Sequence, residues 1–469
     1  MAENKYSTVD ATPVKSFFVD MLTRDIELVD AILDLLDNCV DGILRQKKNS
    51  SGETPYEGFE AEIEFNEDTF SIADNCGGIP WSLHEYAFRM GKAAENRDSD
   101  LPTVGVYGIG MKRAIFKIGR QCLISTQNKG YRYEVEITPE WIENPNDWRL
   151  PVSESSQREK EDGTTIVIGE LHQGIATRFG EDKADFTREL VRKIQTHYAF
   201  IMAKGFRVKV NGQRVEPKPT KLIFVETENE QGTDTAIRPY IYRTEVDGVN
   251  IFLSVGFTRP IPSQEEINDE QEEKRYSSMD AGWTVICNDR AVLYCDRTEL
   301  TGWGEAGVPR YHTQFIAISG IVEFQCNDAS KLPTTTTKRG IDASSSIYLQ
   351  VKNKMRDGMK VFTNFTNQWK GKGHESQEYI DSGMPLALDE TKTKSEKLKL
   401  NSVRSGLRGK QFMPKLPRPK PEPSSKRRIS YTKELEEIET VKEYLLGEQE
   451  GSPSRVGEEC FDVILEEAR

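Results

Sequence analysis

The stretch that most constrains this chain is Asp25 to Arg45, where Leu28, Ala31, Ile32, Leu35, Leu36, Cys39 and Ile43 recur at helical spacing. A helix with that apolar stripe has to be buried along one side. It also carries Asp34, Asn38 and Asp41 at i, i+4 and i+7, so the three project together beside the stripe. Alone, such a row is what a solvated helix flank looks like. Two glycine clusters downstream change its meaning. In Ser71-Ile72-Ala73-Asp74-Asn75-Cys76-Gly77-Gly78-Ile79-Pro80 an acidic residue leaves an apolar strand into a double glycine, where backbone can pass close beneath a ligand. Gly105-Val106-Tyr107-Gly108-Ile109-Gly110-Met111-Lys112 opens an expected helix from Arg113 to Ile118. Glycine-rich backbone at a helix N-terminus offers free N–H groups and a favourable dipole to phosphates.

Around these clusters, residues from about 20 to 175 alternate helix and strand patterns. Strands are expected at Phe59–Phe65, Phe70–Asp74, Gln121–Thr126, Tyr131–Ile137 and Thr164–Ile168, with a helix and polar loop over 81–104. A second domain is expected to open with a helix from Asp185 to Ala203. Its strands are expected at Phe206–Val210, Asn250–Phe257, Trp283–Cys287, Ala291–Cys295 and Phe315–Phe324, before a closing amphipathic helix from Ala343 to Gln368. Ser263 to Arg275, rich in Glu, Gln and Asp, reads as an exposed loop. After Lys370, prolines alternate with basic residues, which favours an extended linker. The tail regains helical character over Lys433–Leu446 and Arg455–Glu467.

In order and spacing, Asp34-Leu35-Leu36-Asp37-Asn38-Cys39-Val40-Asp41, Asp74-Asn75-Cys76-Gly77-Gly78 and Gly105 to Gly110 resemble the three boxes of the Bergerat nucleotide fold. That fold belongs to the gyrase/Hsp90/histidine-kinase/MutL (GHKL) superfamily. Gly163-Thr164-Thr165-Ile166-Val167-Ile168 resembles its adenine-closing strand. The resemblance implies an α+β protein: a Bergerat-type α/β sandwich over 21–180, then a ribosomal-S5-like α/β transducer over 181–370. An N-terminal strap (1–20), a basic Pro-rich linker (371–430) and an acidic helical hairpin (431–469) complete the expected domains. It further implies that ATP and Mg²⁺ bind, with Asn38 on the metal and Asp74 accepting from the adenine amino group beside Thr164. Asp34 falls where the general base, usually Glu, stands. The implied nucleotide contacts extend over Asp41, Gly77, Gly78, Ile79, Gly105, Tyr107, Gly108, Ile109, Gly110, Met111 and Lys112. A transducer lysine that reaches the γ-phosphate would fall in Asp328 to Gly340, where Lys338 is the choice over Lys331 and Arg339. Two departures stand out. Asp34 is one methylene shorter than Glu, which implies hydrolysis that is slow or needs a rearrangement, and Cys76 replaces the first glycine of its box.

Composition narrows the output. The seven cysteines form no C-x-x-C pair, the N-terminus lacks a signal-peptide pattern, and no apolar run approaches the roughly 20 residues of a membrane span, so a cytoplasmic protein is expected. The five histidines are far apart and fit no hydrolase motif. With the ATPase pattern N-terminal and the remaining length short, neither a sensor kinase nor a type II topoisomerase is expected. The box Gly-Ile-Gly-Met-Lys lacks the mismatch-repair signature. The closest resemblance is to prokaryotic Hsp90-like and MORC-like ATP-binding proteins, which implies an ATP-dependent homodimer with Ser7 to Thr23 as a strap. Net charge is -13, but 391–430 holds 13 Lys/Arg against two Glu, and 431–469 holds 12 acidic against four basic residues. One expected output is therefore a clamp that holds DNA through 391–430. The other is a chaperone-like or scaffolding ATPase whose acidic tail docks a protein partner.

Overall fold

The computed structural model describes residues 14–46, 54–89, 108–145, 147–226, 236–263, 265–267, 280–335, 338–403, 406–419, 429–447 and 451–469. Gly105 and Tyr107, the start of the strap, most of the loops over 89–104 and 263–275, and the end of the basic linker lie outside them.

The N-terminal half runs α1 (Lys15–Arg24), α2 (Leu28–Gln46), β1 (Glu60–Phe65), β2 (Phe70–Asp74), α3 (His84–Phe88), α4 (Gly110–Ile118), β3 (Gly119–Asn128), β4 (Tyr131–Ile137), α5 (Pro139–Glu143), β5 (Val152–Glu154), β6 (Gly163–Leu171), α6 (Gln173–Phe179), α7 (Lys183–His197), α8 (Ala199–Ala203), β7 (Arg207–Val210) and β8 (Gln213–Arg214). Its strands form one sheet in the order β5-β4-β3-β6-β2-β1-β7-β8. Strand β1 shows why the sequence folds so. Ala61, Ile63 and Phe65 alternate inward. At its end, the Asn66 side chain accepts from the Asp68 and Thr69 N–H groups and turns the chain into β2.

The boundary expected at 180/181 moves. Phe186, Leu190 and Ile194 of α7 are buried in the same core as Ile32, Ile63 and Ile124. Strand β7 pairs in parallel with β1. The first core thus reaches Val215. A parallel neighbour requires a crossover, and α6–α8 supply it.

The remainder of this unit comprises β9 (Leu222–Phe224), β10 (Tyr240–Val246), β11 (Val249–Phe257), β12 (Gly282–Cys287), β13 (Arg290–Asp296), β14 (Ile318–Gln325), α9 (Ser346–Gln368), α10 (Gly373–Asp381), β15 (Met384–Leu386), α11 (Leu388–Glu396), β16 (Asn401–Val403) and β17 (Gly409–Phe412). A second, mixed sheet has the order β13-β12-β14-β11-β10-β17-β16. Helix α9 lays Val351, Met355, Met359 and Phe362 into its core. On another face of the sheet, Ala199 and Phe200 of α8 pack with Phe252, Ile286 and Ile321, joining the halves.

The linker expected from 371 is a correction as well. Residues 373–412 fold into two helices and three strands, and β17 pairs with β10 inside the sheet. Lysines obscured this in the composition, because they point to acidic partners. Lys392 pairs with Glu323 at 2.5 Å, and Lys394 pairs with Glu226.

Residues 420–469 form a separate compact unit. It contains α12 (Leu435–Leu446) and α13 (Pro453–Ala468), and Ser452 caps the latter by accepting from Arg455 N–H. Among the described residues, no helix is long and apolar enough to cross a membrane.

Candidate nucleotide site

A cavity of about 340 Å³ opens over the first sheet between α2, the loop after β2, α3 and the start of α4. That volume suits a small ligand. Asp34, Asn38, Asp41, Asp74, Gly78, Ile79, Gly108, Ile109, Gly110, Met111, Lys112, Thr164 and Lys338 all line it. Sequence motifs from opposite ends of this unit, from Asp34 to Lys338, thus meet in one place.

The floor is set by strand register. Asp74 ends β2 opposite Thr164 on β6. Its Oδ1 accepts from the Cys76 N–H at 2.7 Å, and its Oδ2 accepts from the Cys39 thiol at 3.5 Å. Burial pushes the Asp74 carboxyl up to about 6, although the Cys76, Cys39 and Thr164 donors oppose it. The loop beyond is fastened by side chains that no motif flagged. Thr126 Oγ1 accepts from Ile79 N–H at 2.8 Å and bonds Thr164 Oγ1 at 3.0 Å, and Asn128 donates to Gly77 O at 2.6 Å. Gly78 has φ +63, and a Cβ there would lie 1.9 Å from Gln127 O. Only glycine fits. Cys76, in place of the first glycine of its box, is buried with the core and also lines the cavity.

Helix α2 forms one wall. Asp34, Asp37 and Asp41 are all buried, whereas Asn38 between them is exposed. Asp37 was singled out by no motif role, yet it gathers the most partners. Its Oδ1 accepts from Tyr198 Oη at 2.5 Å and Arg290 Nε at 2.9 Å, and its Oδ2 accepts from Lys338 Nζ at 3.0 Å. Burial alone would raise its carboxyl; Lys338, Arg290 and the Tyr198 hydroxyl overcome that and hold it at about 2. Asp34 carries a raised value, chiefly from burial, with Lys338 and Arg113 opposing and Asp37 adding to it. The only sequence signal for Asp37 was its place beside Asn38.

Lys338 stands on a tight return of the chain. Thr334 bridges Ile341, Thr335 N–H donates to Gly340 O at 3.1 Å, and Lys338 has φ +57. Arg339 beside it pairs with Asp30 at 2.6 Å. Lys331, the weighed alternative, instead donates to Asp247 O.

Helix α4 opens at Gly110 with no side-chain cap and no acidic residue in its first turn. Its first residues, Gly110, Met111 and Lys112, line the cavity, and a helix start without a cap favours an anion there. The Lys112 ammonium, one of the implied nucleotide contacts, donates to Ala87 O at 2.7 Å and to Gly108 O. It thereby joins Ala87 of α3 to Gly108 just ahead of α4.

An acid-floored cavity beside an uncapped helix N-terminus, framed by a mainly antiparallel sheet, fits a nucleotide-binding ATPase domain. Residues 26–167 match the family described as histidine kinase-, DNA gyrase B-, and HSP90-like ATPase. The chain thus carries an ATP-binding domain of the GHKL superfamily. No curated protein matches the chain.

Proposed function

We propose that the protein is an ATP·Mg²⁺-dependent switch with slow hydrolysis, in which the second sheet and its Lys338 loop act as the transducer. The carrying observation is the Lys338–Asp37 ion pair, which joins that loop to the helix lining the nucleotide cavity. In this reading Asp74 accepts from the adenine amino group beside Thr164, and the Gly108–Gly110 amides hold phosphate. Asn38 suits Mg²⁺: it is the exposed amide on a buried helix face, and among the described residues no group of three or more His, Cys, Asp or Glu is disposed to hold a metal unaided. Bound there with phosphate oxygens and water, Mg²⁺ would neutralise phosphate charge. Lys338 leaves Asp37 for the γ-phosphate. That exchange is inexpensive because Arg290 and Tyr198 continue to satisfy Asp37.

Asp34 is the general base. Asp34→Asn is expected to bind ATP within about threefold of wild type and to lose at least about a hundredfold in turnover. Undiminished turnover would remove Asp34 from that role.

The switch works as an ATP-dependent homodimer. Sizing the protein with and without a non-hydrolysable ATP analogue is expected to show a dimer only with nucleotide, and a monomer in both conditions sinks the dimer. The pairing of Lys392 and Lys394 with Glu323 and Glu226 reduces the basic segment as a DNA anchor. It favours the chaperone-like or scaffolding version with a protein partner.

A further inference from the structure

Asp34 is gripped by the same helix that opens towards phosphate. Gly110, the first residue of α4, passes so close that a Cβ on it would lie 3.3 Å from the Asp34 Cβ and Oδ2. Three residues on, and so on the same helix face, Arg113 turns back with Nη2 2.5 Å from Oδ2. The other oxygen, Oδ1, lies 3.7 Å from Arg339 Nη2, near enough for charge attraction but too far for a hydrogen bond. Asp37 on α2 and Lys338 on the loop are the other charged groups acting on this carboxylate. The Arg113 side chain is 12% exposed, lines the cavity, and has a buried Nε with no hydrogen-bond partner among the described residues.

We propose that Arg113 is a positioning residue for ATP hydrolysis: it clamps Oδ2 of Asp34 from α4 and leaves Oδ1 directed at the attacking water. This rests on the assignment of Asp34 as general base. In the step it serves, the water oxygen bonds to the γ-phosphorus while the bond from that phosphorus to the bridging oxygen breaks. The electron pair stays on ADP, and the water proton passes to Asp34 Oδ1. A short aspartate has little reach, so its direction matters more than that of a longer acid. A planar guanidinium holding one oxygen fixes that direction. Because the same helix start offers its amides to phosphate, Arg113 refers the base and the phosphorus to one rigid element. Such shared reference is what a near-attack geometry needs.

The test uses the full chain with ATP and Mg²⁺, measuring equilibrium binding and single-turnover hydrolysis for wild type, Asp34→Asn, Arg113→Gln, Arg113→Lys and the Asp34→Asn/Arg113→Gln double variant. Arg113→Gln is expected to keep its Kd within about threefold while hydrolysis falls about 10- to 100-fold, the loss of one charge-assisted hydrogen bond. Arg113→Lys is expected to recover part of the rate, and to do so even if the glutamine variant folds poorly. The double variant is expected to be no slower than Asp34→Asn alone, since both act through one carboxylate. Wild-type hydrolysis in Arg113→Gln, or losses that multiply in the double variant, overturns the positioning role. So does a loss confined to Kd, which would make Arg113 a phosphate ligand. If Asp34→Asn itself hydrolyses ATP normally, the base assignment falls and the positioning role with it. Asp34-dependent hydrolysis with an indifferent Arg113 overturns the positioning role alone.

Discussion

Asp74→Asn is expected to raise the Kd for ATP by more than about a hundredfold in isothermal titration, a loss of roughly 2.7 kcal/mol or more. The carboxylate at this position already accepts from the Cys76 N–H and the Cys39 thiol. An asparagine that keeps its oxygen on the Cys76 N–H puts its NH₂ in place of Oδ2, on the side offered to the adenine amino group. Two donors then face each other in an enclosed floor, and neither finds a partner. Stability should move the other way. A carboxyl whose folded value is about 6 against an ordinary 3.8 is easier to ionise in the unfolded chain. It therefore costs the fold stability as pH rises from about 4 to 6, and that cost persists at neutral pH. The asparagine variant lacks it. Thermal unfolding at pH 7.5 is expected to come no lower than wild type, so lost binding cannot be laid to misfolding. Unchanged ATP affinity in this variant would discard Asp74 as the adenine contact.

The second large effect concerns the joint between the two sheets. Arg290→Ala is expected to lower unfolding stability by about 3–5 kcal/mol in chemical denaturation, the range for breaking a buried ion pair from one side. Arg290 and Asp37 have side chains 2% and 1% exposed, so water cannot replace the lost guanidinium. Lys338→Met should cost far less, because Arg290 and Tyr198 still satisfy Asp37 and the Lys338 side chain is 15% exposed. Its effect should appear in ATP turnover. If Lys338→Met proves the more destabilising of the two, the exchange of Lys338 between Asp37 and phosphate is excluded. Asp37 also sets an acid limit. With a folded value of about 2 against 3.8, its contribution is complete above about pH 4 and is lost as pH falls towards 2. Removing Arg290 should move that loss to higher pH.

What could be read from the chain was local. Helix α2, the turn at Gly77-Gly78 and the glycine-rich start of α4 rest on spacings within a dozen residues, and helical or strand periodicity alone puts their polar groups on one side. Strands β1–β4, β6 and β7 of the first sheet and β11–β14 of the second were legible for the same reason, whereas β10, in the middle of the second sheet's pairing, was not. The run from 373 to 412 was not. Its lysines, running into the Pro-rich stretch from Pro414, resemble a linker until β17 finds β10 and Lys392 finds Glu323. Helix α7 likewise joined the first core because β7 pairs with β1, a parallel match that periodicity does not specify.

The sequence by itself thus determined an acid at a strand end, an amide on a helix flank and two glycine turns, since each is a short-range consequence of residue type. Only the tertiary structure decided which acid does what. Asp34 and Asp37 lie one turn apart on the same helix and are chemically identical. They differ because Arg113 reaches the first from α4, whereas Tyr198, Arg290 and Lys338 converge on the second from far along the chain. Burial makes an unpaired carboxylate costly, so the pairing is strictly chosen. The choice belongs to the packing of distant elements, which no local pattern encodes.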